Sequence, residues 1–449
     1  CSATTLDALA VDRPKKERQL GRARHKAKRS LRKSPDGKEH AKMMSGVPVY
    51  GYHSGRSYAR KIGNFASENT TALEDAVAEW IVMYEGISDA NLKMLCASVF
   101  TSCTASGDLS NPQHLGIPFL LTSSTGAQLQ TAMKRSKALG FQAEFAEHDA
   151  PTRADDAHLD FSHALDDTKR AATWGLNRVG RDSAPSTGAN VHAYVLDTGV
   201  RTTHADFTGR AIPTLDTTEY STNICACTDT SCAADTHGHG THCASTVGGA
   251  EYGVAPDARI HGVKVFKDDG TGSLSFITIA NSFVITYGQF PAVVSYSGTG
   301  PGQYYSITYS VNMLSYAGIP MVVAAGNYFM DACQFYPAYV PNAIAVGATT
   351  SSDVFGGYSN WGSCIDILAP GSWVEAAGVN SDEETALKTG TSMACPHVTG
   401  AIAILQSMNP DMSVANITAE LLAKAESGAI SSVPADTPNL LLKVDTLTR

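Results

Sequence analysis

From about residue 171 the chain is a succession of short, unbroken apolar runs: 191–196, 260–266, 292–295, 321–325 and 343–346. None alternates polar with apolar, as a strand with one wet face would, so both faces are expected to be buried in a parallel sheet. Candidate helices fall between the runs, at 239–247, 276–287, 306–317 and 391–408. The fold class that follows is α/β, a mostly parallel sheet flanked by helices, with its ligand sites beyond the carboxyl ends of the strands.

The upstream text differs. Strand, helix, strand, helix and strand patterns at 79–84, 88–100, 118–122, 126–139 and 141–147 describe a small, compact α+β unit. Through Lys42 there are 13 Lys and Arg against 5 Asp and Glu, a net +8 with almost no large apolar residue. Such a stretch is expected to be a disordered basic tail. The remaining 21 basic and 38 acidic residues leave −17, and an acidic body argues against nucleic acid as the partner. The expected organisation is a basic segment at 1–45, the α+β unit at 46–150 with its core at about 79–149, a polar linker at 151–170 ending in Lys169-Arg170, and the α/β domain at 171–449.

The longest apolar runs, such as 319–325, fall far short of the ~20 residues that a membrane helix needs, so no membrane span is expected. The chain starts at Cys1 rather than Met, which reads as the loss of an upstream segment, and no signal-peptide core is visible in what remains. Ten cysteines, three of them within 225–232, suit an oxidising compartment and point to secretion. Asn69 and Asn416 stand in sequons that permit glycosylation.

Three glycine-marked motifs carry the chemistry. Asp197 ends the apolar run of Ala193-Tyr194-Val195-Leu196-Asp197-Thr198-Gly199. In Asp235-Thr236-His237-Gly238-His239-Gly240-Thr241-His242 a glycine-rich turn runs into a small-residue helix. In Thr389-Gly390-Thr391-Ser392-Met393-Ala394-Cys395-Pro396 a serine stands at a helix start after glycine, among exposed backbone donors. Taken singly, each has an ordinary structural explanation: a turn carboxylate, a packed histidine, an N-cap serine. His237, His239 and His242, with Cys225, Cys227 and Cys232 nearby, also imitate a metal site, although their spacing is irregular for common zinc modules.

Together the three texts resemble the subtilisin-like serine proteases, or subtilases, and within them the proteinase K branch. The resemblance runs from Thr173 to about Leu442 and includes Trp174-Gly175-Leu176, Gly262-Val263-Lys264-Val265 and Tyr358-Ser359-Asn360-Trp361-Gly362. It implies a secreted serine endopeptidase with Ser392 as nucleophile, His239 as base and Asp197 as its orienting carboxylate. Asn327, in Val322-Val323-Ala324-Ala325-Gly326-Asn327, resembles the family's oxyanion donor. A catalytically silent scaffold used for binding is the alternative from another class, and the presence of all four residues argues against it.

The same resemblance implies further assignments. Gly270, Thr271 and Gly272 on one side, and Ser295, Tyr296, Ser297 and Gly298 on the other, match the backbone segments that hold an extended substrate. Ala324, Ala325 and Gly326 match the wall of the primary pocket. Protein and peptide substrates, broad specificity with an apolar or aromatic preference, and a monomer are expected. Cys333 and Cys364 match a disulfide of some relatives, and Cys243 a buried thiol; the pairing of Cys225, Cys227 and Cys232 stays open. Pro341, Ala343 and Asp366 match a structural calcium site, and no cofactor is expected for catalysis. The α+β unit resembles the inhibitor-type propeptide of these proteases, which makes the chain a zymogen cleaved between about 150 and 171.

Overall fold

The computed structural model describes residues 42–44, 47–50, 77–84, 86–100, 102–105, 117–154, 173–218 and 222–447. The basic segment up to residue 41, Asn69, and the stretch 155–172 with Lys169 and Arg170 lie outside the described residues.

Each apolar run becomes a strand of one ten-stranded sheet. Its interior order is Ala211–Asp216, Arg259–Lys264, His192–Asp197, Ala292–Tyr296, Met321–Ala324, Ala343–Thr349, Ile367–Pro370 and Leu440–Leu441, and every neighbouring pair among them is parallel. Short antiparallel strands, Asn223–Ile224 and Glu426–Ser427, finish the two edges. Successive residues of the inner strands enter opposite cores, as a pleated strand buried on both faces requires. Tyr194, Val294, Met321, Val323 and Ala345 pack with the helices Leu274–Tyr287 and Tyr305–Tyr316. Ala193, Val195, Val293, Val322 and Ile344 pack with His239–Gly248 and Thr391–Met408.

A second sheet belongs to the N-terminal unit, in the order Lys42–Met44, Val47–Tyr50, Phe145–His148, Ala78–Met83, Phe119–Ser124 and Cys103–Ala105. The expected basic tail therefore gives way to structure earlier than residue 45. Lys42–Met44 pairs antiparallel with Val47–Tyr50, because Val47 and Val49 have core positions to fill. One face of this sheet is covered by the unit's own helices, Asp89–Ser98 and Gly126–Ala138, through Trp80, Val82, Tyr84 and Leu120. Gly126–Ala138 opens on a reciprocal cap in which Thr125 Oγ1 accepts from Gln128 N–H at 3.2 Å and Gln128 Oε1 accepts from Thr125 N–H at 2.9 Å. From the opposite face Ile81, Met83, Phe119, Leu121 and Phe145 enter the core formed by the Leu274–Tyr287 and Tyr305–Tyr316 helices. The two sheets thus share one apolar layer.

Two carboxylates of the N-terminal unit cap those same helices. Glu147, fully buried, accepts from Tyr305 N–H at 2.8 Å and Ser306 N–H at 2.9 Å. Asp149 accepts from Ser275 N–H at 2.9 Å and Ser275 Oγ at 2.6 Å. Helix N-termini favour such anions, but burial outweighs the donors and raises both carboxyls, Glu147 to about 7 and Asp149 to about 6. The seated unit therefore holds these protons more tightly than a separated one. Their contribution to seating is complete below the ordinary carboxyl value of about 4 and is lost as pH rises through the raised values. The melting temperature of the whole chain should fall between about pH 4 and pH 7, the ordinary and the raised carboxyl values, and Glu147→Gln should reduce that fall. An equal fall in both proteins would remove Glu147 as its source.

Candidate active site

Asp197 ends the His192–Asp197 strand, where an open α/β sheet delivers side chains to a site. It is fully buried, and its Oδ1 accepts from Thr198 N–H at 2.7 Å and faces His239 Nδ1 at 2.7 Å. His239 opens the His239–Gly248 helix directly after Gly238, whose φ of +90° is a turn conformation that a side chain would strain. Burial opposes charge on His239, but the Asp197 carboxylate and the Cys243 sulfur together outweigh it and leave the imidazole pKa well above its ordinary value.

Ser392 is the second residue of the Thr391–Met408 helix. Pro396, four residues on, has no N–H, so the Ser392 carbonyl receives no helix hydrogen bond. Ser297 Oγ donates to it at 3.0 Å and Cys243 Sγ at 3.4 Å instead. Ser392 Oγ donates to Ser297 O at 3.2 Å. The Cys243 sulfur also lies 3.9 Å from His239 Nδ1, so one buried thiol touches both the histidine and the serine. Asn327 follows Gly326, and its Oδ1 accepts from Thr391 N–H at 2.8 Å and Thr391 Oγ1 at 3.0 Å. Those bonds fix the Asn327 side chain against Thr391, the residue before Ser392.

The histidine is held by a residue that carried no signal of this role in its motif. Asp235 Oδ1 accepts from Thr198 Oγ1 at 2.8 Å, His237 N–H at 3.0 Å and Gly238 N–H at 2.9 Å. Its Oδ2 accepts from Thr241 N–H at 2.8 Å and Thr241 Oγ1 at 2.6 Å. Thr198 Oγ1 in turn accepts from Gly240 N–H at 2.9 Å, tying the turn after Asp197 to the helix that starts at His239. His242 points away, its Nε2 at 3.0 Å from Val374 O and 3.1 Å from Ala386 O. The His237 ring lies 6.3 Å from that of His239. Cys225 and Cys232 form a disulfide and Cys227 is disulfide-bonded too, so none of the three is a thiolate for a metal.

A cleft is marked by the chain itself. Pro151–Ala154 lies as an antiparallel strand between Thr271–Ser273 and Gly298–Pro301, with Ala154 N–H donating to Gly270 O at 2.9 Å. Gly270, Thr271, Gly272 and Gly298 flank that strand. Ser295 and Tyr296, expected beside them, instead belong to the central Ala292–Tyr296 strand, where their backbone pairs with sheet neighbours on both sides. The chain leaves that sheet at Ser297, so the cleft edge lies further on and includes Thr299 opposite Arg153. Ala324 and Ala325 are buried, and Gly326 N–H donates to Thr391 Oγ1 at 3.0 Å.

Elsewhere, Cys333 and Cys364 form a disulfide, as do Cys96 and Cys103, while Cys243 and Cys395 are reduced and buried. Asp366 Oδ2 accepts from Ala345 N–H at 2.8 Å, next to the strand that Ala343 begins two residues after Pro341. Asn416 is exposed on the first turn of the Val414–Lys424 helix. No helix of the described residues is long and apolar enough to cross a membrane. Asp197→Asn should bring the His239 pKa down towards or below about 6.5, because burial would then act with less opposition. A His239 NMR titration unmoved by the substitution would show that the carboxylate is not what holds it up.

The profile of the subtilase family (peptidase S8) matches residues 188–440. Among curated relatives, an extracellular serine proteinase of Thermus sp. (strain Rt41A) is 40% identical over 279 residues, covering 60% of this chain and 66% of the relative. An alkaline serine exoprotease A of Vibrio alginolyticus is 34% identical over 291 residues, covering 63% of this chain and 52% of the relative. Alkaline protease 2 of Aspergillus fumigatus is 33% identical over 320 residues, covering 62% of each. The chain therefore spans between about half and two thirds of these relatives. The crystal structure of a cold-adapted subtilisin-like serine proteinase superposes with a TM-score of 0.56 at 35% identity, covering 60% of this chain and 97% of that one. With a family match across more than half of its length, the chain belongs to the subtilase family.

Proposed function

We propose that the chain is a secreted serine endopeptidase made as a zymogen, with its N-terminal unit as intramolecular inhibitor. The observation that carries this reading is the buried Asp197–His239 pair at 2.7 Å beside Ser392, next to a cleft that takes an extended peptide as an added strand. Ser392 Oγ attacks the peptide carbonyl while His239 takes its proton and returns it to the leaving amine. Asp197 keeps the imidazole in the tautomer that presents Nε2 to the serine and stabilises its charged form. The Ser392 N–H and the Asn327 amide donate to the oxyanion that forms. No step calls for a cofactor. Extracellular action fits the disulfides and the Thermus relative described as extracellular.

Residues 151–154 support the inhibitor role, since they occupy the cleft in the way a substrate would. They run towards the cluster from the N-terminal side, so cleavage beyond Ala154, within 155–170, fits the expected linker. Fluorophosphonate labelling of the whole chain over time should give a shortened band that carries label, and Ser392→Ala should neither shorten nor label. His239→Ala should cost several orders of magnitude in rate. Loss of rate in His237→Ala, with His239→Ala active, would reverse the assignment of the base.

Calcium fits the donors at Pro341, Ala343 and Asp366. The Asp366 carboxyl is largely buried, with no basic partner among the described residues, and burial raises it to about 6. A hard cation held by this carboxylate and the Pro341 and Ala343 carbonyls would compensate the buried charge and tie two strands together. A chelator should lower the melting temperature of the parent and leave Asp366→Asn nearly unmoved. Equal shifts in the two proteins would place any bound calcium elsewhere.

A further inference from the structure

Ala324-Ala325-Gly326, the expected wall of the primary pocket, leads from the end of a central strand to Asn327. The cleft edge Gly298–Pro301 stands across from it. The residue whose carbonyl reaches Ser392 and Asn327 must place its side chain between these two segments, so their separation sets what that side chain can be.

Thr299 narrows the gap. It is 3% exposed, and its Oγ1 donates to Tyr336 O at 3.1 Å. Its Cγ2 methyl is turned to the other wall, where a Cβ on Gly326 would stand 3.4 Å from it. One carbon–carbon bond being about 1.5 Å, Gly326 Cα lies within about 5 Å of that methyl. A flat ring needs about 3.5 Å of carbon separation on each face, hence about 7 Å between walls. An aromatic side chain does not pass between Thr299 and Gly326.

Neither wall is free to retreat. Gly326 is held through both of its backbone groups, its N–H donating to Thr391 Oγ1 at 3.0 Å and its carbonyl accepting from Asn360 N–H at 2.8 Å. Behind it the buried Asn360 side chain donates to Ala325 O at 2.8 Å and accepts from Tyr328 N–H at 3.1 Å and Met330 N–H at 3.0 Å. A Cβ on Gly326 would collide with that amide. On the facing side Gly300 pairs with Tyr336 and Pro301 with Phe335, which fixes the strand that carries Thr299. Turning the methyl away would take the Thr299 hydroxyl off Tyr336 O and leave a buried polar group unpaired.

We propose that Thr299 closes the primary pocket, so that the residue at the scissile bond must be small: alanine, serine or glycine rather than phenylalanine. This departs from the apolar or aromatic preference expected of the cleft. The inference rests on the proteolytic reading of the same cleft.

The test uses the whole chain, allowed to mature, and N-blocked p-nitroanilides of Thr-Arg-Ala-X. The first three residues repeat 152–154 of the chain, and X is alanine or phenylalanine. In the parent, kcat/KM on the alanine peptide should exceed that on the phenylalanine peptide by at least about 10-fold. Thr299→Gly should raise the phenylalanine-to-alanine ratio by about 10-fold or more. Thr299→Ser, which keeps the hydroxyl for Tyr336 O and loses only the methyl, should move the ratio in the same direction. Equal rates on the two peptides in the parent, or a ratio unmoved in both variants, would overturn the closure while leaving the proteolytic reading intact. So would a parent that takes a fluorophosphonate label but spares the alanine peptide. Failure of the parent to take that label would overturn the proteolytic reading, and this inference with it.

Discussion

A carboxylate without solvent contact must be held by donors, and Asp197 is held by two: the N–H of the next residue and a histidine from another element. What keeps that histidine in place is mostly the bonding of Asp235 and Thr198, which fastens the turn after one strand to the first turn of a helix. The strand end and the helix start cannot shift independently, because five donors converge on one carboxylate between them. The Asp197–His239 distance is thus a property of this small lattice. The serine reaches the same place by a different device, a proline that removes one helix hydrogen bond and leaves the Ser392 carbonyl for side-chain donors.

The N-terminal unit is fastened by three kinds of force. Its sheet shares an apolar core with two helices of the larger domain, its carboxylates cap the starts of those helices, and its last strand pairs in the cleft. The first does not depend on protonation, the second does, and the third is made of backbone bonds that almost any sequence could supply. Of its four side chains, Thr152 and Ala154 are the two that point inward.

Much of this was legible in the sequence because burial on both faces leaves an unbroken apolar run. The five runs became strands with ends within a few residues of their expected positions, and the helix at 391–408 has the expected bounds. Residues in the triad motifs were legible for another reason: turns that need glycine beside a functional side chain leave a text. What could not be read was carried by backbone. The cleft edge slid from 295–298 to Gly298–Pro301 because nothing in the side chains marks where a central strand leaves its sheet. Lys42–Met44 was hidden in a run of positive charge. Nothing in the text around Glu147 and Asp149 marks them as caps, because only the packing of two helices against them makes them so.

Cys243 and Cys395 sit reduced and sealed in a chain that also carries disulfides, among them Cys96–Cys103, Cys225–Cys232 and Cys333–Cys364. Burial raises both thiol pKa values and keeps them out of reach of any disulfide. That protection lasts only as long as the fold. Once unfolded at alkaline pH, the two thiols become thiolates beside several disulfides, and exchange among them scrambles the cross-links. For this chain, then, the lifetime of the folded state matters more than its free energy, since an unfolding event is hard to reverse.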